Sequence, residues 1–216
     1  MRRPTSELRV GVIGAGKHGS RYARHILNDV DGLTLAAISR RSDEGQALAE
    51  QWGCRWYRHW HDLVDSPEID CIVAALPPTL NLQVALACAD ARKPLLLEKP
   101  MAVTVQEAAT IRECFAEKNL GLTIGQTLRY NVVINDLRDK LPWIGPLLSL
   151  SANQRLEPAT LDWLDQPEVA GAGVSFHSAV HVFDAIHYIT GQEIVRVMAK
   201  IRCLHSTTLE DHLVVL

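Results

Sequence analysis

The sequence predicts an α/β protein whose first part is a doubly wound parallel sheet. Three observations carry that expectation. Apolar strand-like runs alternate with helix-period segments from residue 8 to about residue 126. Several runs, such as Ile69-Asp70-Cys71-Ile72-Val73-Ala74-Ala75-Leu76, are almost continuously apolar, as strands covered on both faces are. A strand, a glycine-rich loop and a helix pattern open the series.

Strands are expected at 8–14, 33–39, 54–57, 69–76, 94–98 and 120–126, with helices at 18–29, 43–52, 59–65, 80–91 and 105–118. Thr104 with Glu107 three residues later is a capping box for the last helix, and Ser42 is the expected N-cap of the second. Beyond about residue 127 the pattern changes. A helix at 132–141 precedes a Pro-Gly-Pro turn at 142–146, a strand at 147–156 and a loop at 157–173. A helix at 174–190 stops at Gly191, and strands at 194–204 and 212–216 follow. The domains are therefore placed at 1–127 and 128–216, the second an α+β open-sheet domain that ends mid-strand and is expected to be incomplete.

Composition sets limits. The 216 residues are 47% hydrophobic and 22% charged, ordinary for a globular protein. A net charge of −3 provides no basic field for nucleic acid. No apolar run is expected to span a membrane, and the N-terminus lacks a signal-peptide core, so the expectation is a cytoplasmic protein. Cys54, Cys71, Cys88, Cys114 and Cys203 form no C-x-x-C pair and read as reduced, mostly core thiols.

The chemistry begins at Gly14-Ala15-Gly16-Lys17-His18-Gly19, a G-x-G-x-x-G loop directly after the first strand. Gly14 permits the tight turn, Gly16 lets a pyrophosphate approach the backbone, and Gly19 lets the helix pack on the strand. Backbone N–H groups at the helix start, Lys17 and His18 included, then face the phosphates. An acidic residue about 20 positions further on usually takes the ribose 2′-hydroxyl of NAD. Here Ser39 stands at that place, followed by Arg40 and Arg41, a hydroxyl and two guanidinium groups suited to a 2′-phosphate. That favours NADP, with NAD as the alternative. Glu98 and Lys99 stand at the carboxyl end of the fifth strand, where ligands of such sheets bind, and Pro100 is a candidate cis proline.

The glycine loop, the Pro77-Pro78 turn after the fourth strand, Glu98-Lys99-Pro100 and the run from Gly171 to Asp184 together resemble the glucose–fructose oxidoreductase / inositol dehydrogenase (Gfo/Idh/MocA) family. The resemblance spans residues 8–216. It implies a Rossmann domain, a C-terminal open-sheet domain, and hydride transfer between a nicotinamide and a sugar, cyclitol or related polyol. It also implies that Lys99 is the catalytic lysine and His181 the catalytic histidine. Leu76, Pro77, Asn81 and Glu98 would join Lys99 and the loop around the cofactor. His177 stands where the family usually has aspartate, one expected helical turn before His181, and Asn81 stands where it often has histidine.

Other readings remain open. One is a cofactor-binding protein without turnover, a sensor or truncated relic. A weaker one is a metal-dependent hydrolase using His177 and His181, whose i,i+4 spacing suits a metal pair; no metal is expected. Arg129 is a candidate for an interdomain cleft or ion pair. His59 and His61, among Trp56, Tyr57 and Trp60, read as a packed helix start, and Trp163 as a loop residue that covers substrate or simply packs. Exposed edges on the second sheet point to a homodimer.

Overall fold

Six parallel strands run in the order β3-β2-β1-β4-β5-β6. They are β1 (Leu8–Ile13), β2 (Leu33–Ser39), β3 (Arg55–Tyr57), β4 (Cys71–Ala74), β5 (Leu95–Leu97) and β6 (Leu122–Ile124). In this computed structural model residues 7–157 and 161–216 are described. The chain divides into two compact units, Met1–Ile124 and Gly125–Leu216.

The helices of the first unit are α1 (Gly19–Asn28), α2 (Glu44–Trp52), α3 (Trp60–Asp65), α4 (Asn81–Asp90) and α5 (Val105–Glu117). Alternation along β1 explains the layers, because successive side chains point to opposite faces. Val10 and Val12 pack with Ala23 and Ile26 of α1 and Ala49 of α2. Ile13 packs on the other face, with Leu63 of α3, Val84 and Cys88 of α4, and Ile111 and Phe115 of α5. Both faces are thus covered, which is why the strands read as continuous apolar runs. The expected elements are all present in this unit, trimmed by a residue or two at their ends.

Two details differ from the sequence reading. The N-cap of α2 is Asp43, not Ser42, because the Ser42 hydroxyl instead accepts from Arg40 Nε at 2.9 Å. In the α5 capping box, Thr104 accepts from the Glu107 N–H at 3.1 Å, but the Glu107 carboxylate reaches back to the N–H of Val103. The cysteines are free thiols: Cys88 is buried, Cys54, Cys71 and Cys114 are partly buried, and Cys203 is exposed. Burial pushes the Cys88 thiol up to about 12 and that of Cys54 up to about 11.

The sheet order reverses between β1 and β4, and there the glycines are needed. Gly14 sits at φ +83, and a Cβ on it would collide with the Ala75 carbonyl that follows β4. A Cβ on Gly19 would collide with the carbonyl of Gly14.

The second unit contains α6 (Val132–Lys140), α7 (Pro167–Ala170), α8 (Val180–Thr190) and an antiparallel pair, β7 (Ala199–Arg202) and β8 (His212–Val215). The expected strand at 147–156 is irregular, and Leu148 is 95% exposed; no described strand pairs with it, and apolar composition without ladder partners does not make a strand. The strand expected at 194–204 shrinks to β7 for the same reason. The turn after α6 is a 3-10 helix, Leu141–Ile144, ended by Gly145 at φ +81. The expected loop contains a 3-10 turn, Asp162–Asp165, and α7; residues 158–160 lie outside the described residues. The helix expected from 174 begins as a π-helical turn, Ser175–Ala179, before α8, and Gly191 at φ +65 ends it as expected.

By length and composition alone the helical run Pro167–Thr190 could cross a membrane, where the sequence reading expected no such run. Gly171 at φ +77 interrupts it, and Asp184 within it is ion-paired to Arg129.

Gly19→Ala tests the backbone contact. Alanine gains up to about 1 kcal/mol of helix propensity, but the new methyl meets a carbonyl that no rotamer change can move. The expected outcome is a net loss of roughly 1–3 kcal/mol in urea unfolding.

Candidate functional site

The glycine loop is tied down from both sides. The N–H groups of Gly14 and Ala15 both donate to the Ser39 carbonyl at 3.0 Å, and Arg40 Nη1 donates to the Ala15 carbonyl at 3.0 Å. Gly16 differs from its neighbours, because a Cβ built on it meets nothing within 4 Å. Helix α1 begins without a side-chain cap and without an acidic residue in its first turn. An open approach at Gly16 beside an uncapped helix start is the arrangement that a pyrophosphate requires, so these residues fit a dinucleotide. Lys17 and His18 are exposed, and the Leu76 side chain lies against the turn at Gly14. Pro77 leads into a 3-10 turn, Pro78–Leu80, just before α4.

At the end of β2 the arginines are already partnered. Arg40 donates to Ser42 and pairs with Glu44, while Arg41 is exposed. Arg58 donates to the Arg41 carbonyl at 2.8 Å, pairs with Asp43, and lies 4.9 Å over the ring of Trp56. Ser39 is buried at 4% exposure, and its carbonyl holds the loop.

Glu98 is the centre of this site. It is 5% exposed, and its carboxylate accepts from Tyr22 Oη at 2.5 Å, from the Lys99 N–H at 3.1 Å, and pairs with His18 Nε2 at 2.8 Å. Burial pushes its pKa up, but His18, Tyr22 and the Lys99 N–H more than offset this and hold the carboxyl below its ordinary value. The phenol of Tyr22 is pushed far up by burial and by Glu98. Glu98, expected at the cofactor, and His18, expected to offer only its backbone N–H there, meet through their side chains. Lys99 follows directly, with burial lowering its pKa and the Glu98 carboxylate opposing the shift. The Lys99–Pro100 peptide is cis.

Asn81, expected at the cofactor, is 1% exposed and donates from Nδ2 to the Pro100 carbonyl at 2.8 Å. It braces the turn that carries Lys99. Its Oδ1 is buried without a hydrogen-bond partner.

In the second unit, His181 Nδ1 lies 3.1 Å from Gln126 Oε1. Arg129 makes two hydrogen bonds to Asp184, at 2.9 and 2.7 Å, so its ion pair lies within this unit rather than between domains. His177 is exposed and His181 half-buried. His177 lies on the π-helical turn Ser175–Ala179 and His181 four residues on, in α8. Gly173 is needed because a Cβ there would strike the Glu210 backbone, whose carbonyl accepts from the Val174 N–H at 2.7 Å. The Glu210 carboxylate caps this turn, accepting from the N–H groups of Gly173 and Ser175 at 3.1 Å. Trp60 and His61 stack at 3.5 Å, and His59 is the N-cap of α3. Trp163 is partly buried in its 3-10 turn. Among the described residues no group of three or more His, Cys, Asp or Glu could hold a metal ion.

Sequence reasoning missed Tyr22, Gln126 and Glu210. Tyr22 carried a signal, lying four residues after His18 on one helix face. The other two contacts join residues 55 and 37 positions apart, and nothing local announces them.

A parallel sheet in this strand order, with a glycine loop at its reversal point, defines a dinucleotide-binding α/β protein of the Rossmann class. Residues 8–126 match the Gfo/Idh/MocA oxidoreductase family, NAD-binding Rossmann fold, and residues 144–216 match the family's C-terminal domain. The chain belongs to that family. It is 26% identical over 196 residues to the myo-inositol 2-dehydrogenase of Thermotoga maritima, covering 89% of this chain and 58% of that protein. It is 32% identical over 200 residues to inositol 2-dehydrogenase 2 of Saccharopolyspora erythraea, covering 89% and 56%. The chain thus spans little more than half the length of these curated relatives. Among solved structures, GenD2 from gentamicin A biosynthesis, in complex with NAD, superposes with a TM-score of 0.85 at 20% identity, covering 97% of this chain and 62% of that one. Levoglucosan dehydrogenase, in complex with NADH and levoglucosan, gives 0.81 at 22% identity, covering 95% and 62%. At these identities the structures establish the fold.

Tyr22→Phe removes one donor from a buried carboxylate. The expected outcome is a loss of about 1.5–3 kcal/mol at pH 7, the range for a hydrogen bond to a charged group. Because Glu98 is held below its ordinary value, the stability it contributes is present above that value of 4.5 and lost as pH falls below it. The difference between variant and parent in urea unfolding should therefore shrink in acid.

Proposed function

We propose that this chain serves a nicotinamide-dependent oxidoreductase acting on a carbinol carbon of a sugar, cyclitol or related polyol. The observation that carries the reading is the open approach at Gly16 beside the uncapped start of α1. The relatives named as inositol dehydrogenases and the superposition on levoglucosan dehydrogenase support the substrate class.

The cofactor, when bound, supplies the acceptor or donor of hydride. The chain's own residues do the rest. Gly14, Gly16 and Gly19 shape the turn under the pyrophosphate, with backbone N–H groups at Lys17 and His18. Leu76 and Pro77 form a wall beside the loop. Lys99 stabilises alkoxide character at the reacting oxygen. Its burial, which lowers the pKa, brings proton exchange closer to neutrality. As the carbinol C–H bond breaks with hydride leaving, the O–H bond breaks too, and His181 takes that proton; in the reverse direction His181 returns it.

For the cofactor, NADP is the proposed preference over NAD. Ser39 places no carboxylate at the end of β2, and Arg40 and Arg41 follow with charge for a 2′-phosphate. Arg40 would have to share its guanidinium with Glu44, which leaves Arg41 the more adaptable contact.

A second reading, cofactor binding without turnover, draws on one observation. His177 occupies the place of the family aspartate and lies exposed on the π turn, so the carboxylate's charge is missing there.

Two measurements test these assignments. Lys99→Met should lower kcat at least about 100-fold on any polyol that the parent oxidises; an unchanged kcat would overturn the role of Lys99, and a parent inert across the panel would favour the second reading. Arg41→Ala should raise the Kd for NADPH roughly tenfold, as loss of a charged hydrogen bond does, and leave NADH binding nearly unchanged. Equal effects on both cofactors would remove the NADP preference.

A further inference from the structure

We propose that Gln126 is a positioning residue that sets the tautomer of His181, placing hydrogen on Nδ1 and the lone pair of the neutral ring on Nε2. The consequence for catalysis rests on the proton-transfer role proposed above for His181.

An amide oxygen only accepts hydrogen bonds. Gln126 Oε1 lies 3.1 Å from Nδ1, so in the neutral ring Nδ1 is the donor and Nε2 the basic nitrogen. The hydrogen bond made by one ring nitrogen thus decides which nitrogen exchanges the substrate proton.

The placement of Gln126 is braced. The residue directly precedes the 3-10 turn Thr127–Tyr130, and Arg129 of that turn grips Asp184 with two hydrogen bonds. Asp184 lies three residues after His181, on the same face of α8. The segment 126–129 therefore meets one helix face at two points. Arg129 also lies 5.2 Å over the ring of Tyr188, one turn further along. Tyr188 in turn donates to Asn135 of α6 at 2.7 Å. Sliding Gln126 away from His181 would break the Arg129–Asp184 pair as well.

The chemistry of the partner has a second consequence. A carboxylate hydrogen-bonded to an imidazole both fixes its tautomer and stabilises the imidazolium. Gln126 supplies the first effect without the negative charge. The exposed His177 supplies no carboxylate either. Orientation, rather than charge, is what Gln126 provides to His181.

The test is nitrogen-15 NMR of the full chain with labelled histidine, His181 being assigned by the signal lost in His181→Asn. The parent should show the Nδ1–H pattern. Gln126→Leu, close in size but unable to accept, should lose that pattern, and Gln126→Glu, which keeps an acceptor oxygen, should retain it. An Nε2–H pattern in the parent would overturn the proposal even if the leucine variant failed to fold, as would a folded leucine variant with an unchanged spectrum. In turnover, Gln126→Leu should lower kcat about tenfold with KM little changed, part of the 10²–10⁴-fold that a placed base supplies. A parent with the Nδ1–H pattern and no turnover on any polyol would count against the oxidoreductase reading and leave the Gln126–His181 assignment standing.

Discussion

The carboxylate of Glu98 is nearly removed from solvent, and everything around the candidate site in the first unit is arranged to meet it. A charge buried without donors would protonate or destabilise the fold. Three donors meet it instead: the phenol of Tyr22, the ring of His18 and the N–H of Lys99. Two of these belong to the glycine loop and the first turns of α1, and the third to the turn after β5. One side chain thereby joins the part of the sheet that would face phosphates to the residue proposed to face the substrate oxygen. Asn81 fixes the same turn from its other side through the Pro100 carbonyl.

Close approach of backbones is the companion constraint. Where the strand order reverses, the segment after β4 comes so near that Gly14 could not carry a methyl group, and the carbonyl of Gly14 in turn leaves no room for one on Gly19. Gly16 lies in the same loop and has room to spare. The three glycines of one motif thus answer to two physical demands, packing at Gly14 and Gly19 and access at Gly16. Close backbone approach recurs in the second unit, where the Glu210 backbone leaves no room for a Cβ on Gly173.

The two units differ in how much of them could be read from residues alone. In the first, helices cover both faces of the central strands, so burial follows local periodicity and the expected elements appear with small changes at their ends. In the second, apolar residues at 147–156 and 194–197 satisfy the pattern of a strand but find no described strand to pair with, and they remain irregular. The π turn at Ser175–Ala179 is likewise invisible to a period count, since a single wider turn depends on what packs against it, here the backbone and carboxylate of Glu210.

By itself the sequence determined the sheet class, the glycine loop, the capping of α5 and the residues that carry the family's motifs, because each of these rests on contacts within a few positions or on a repeating period. Only the tertiary structure decided who partners whom. Glu98 with Tyr22, Asn81 with Pro100, Gln126 with His181 and Arg129 with Asp184 are pairs separated by 19 to 76 residues. Their formation depends on how strands and helices stack, and a buried polar group takes whichever partner that stacking brings within hydrogen-bond reach.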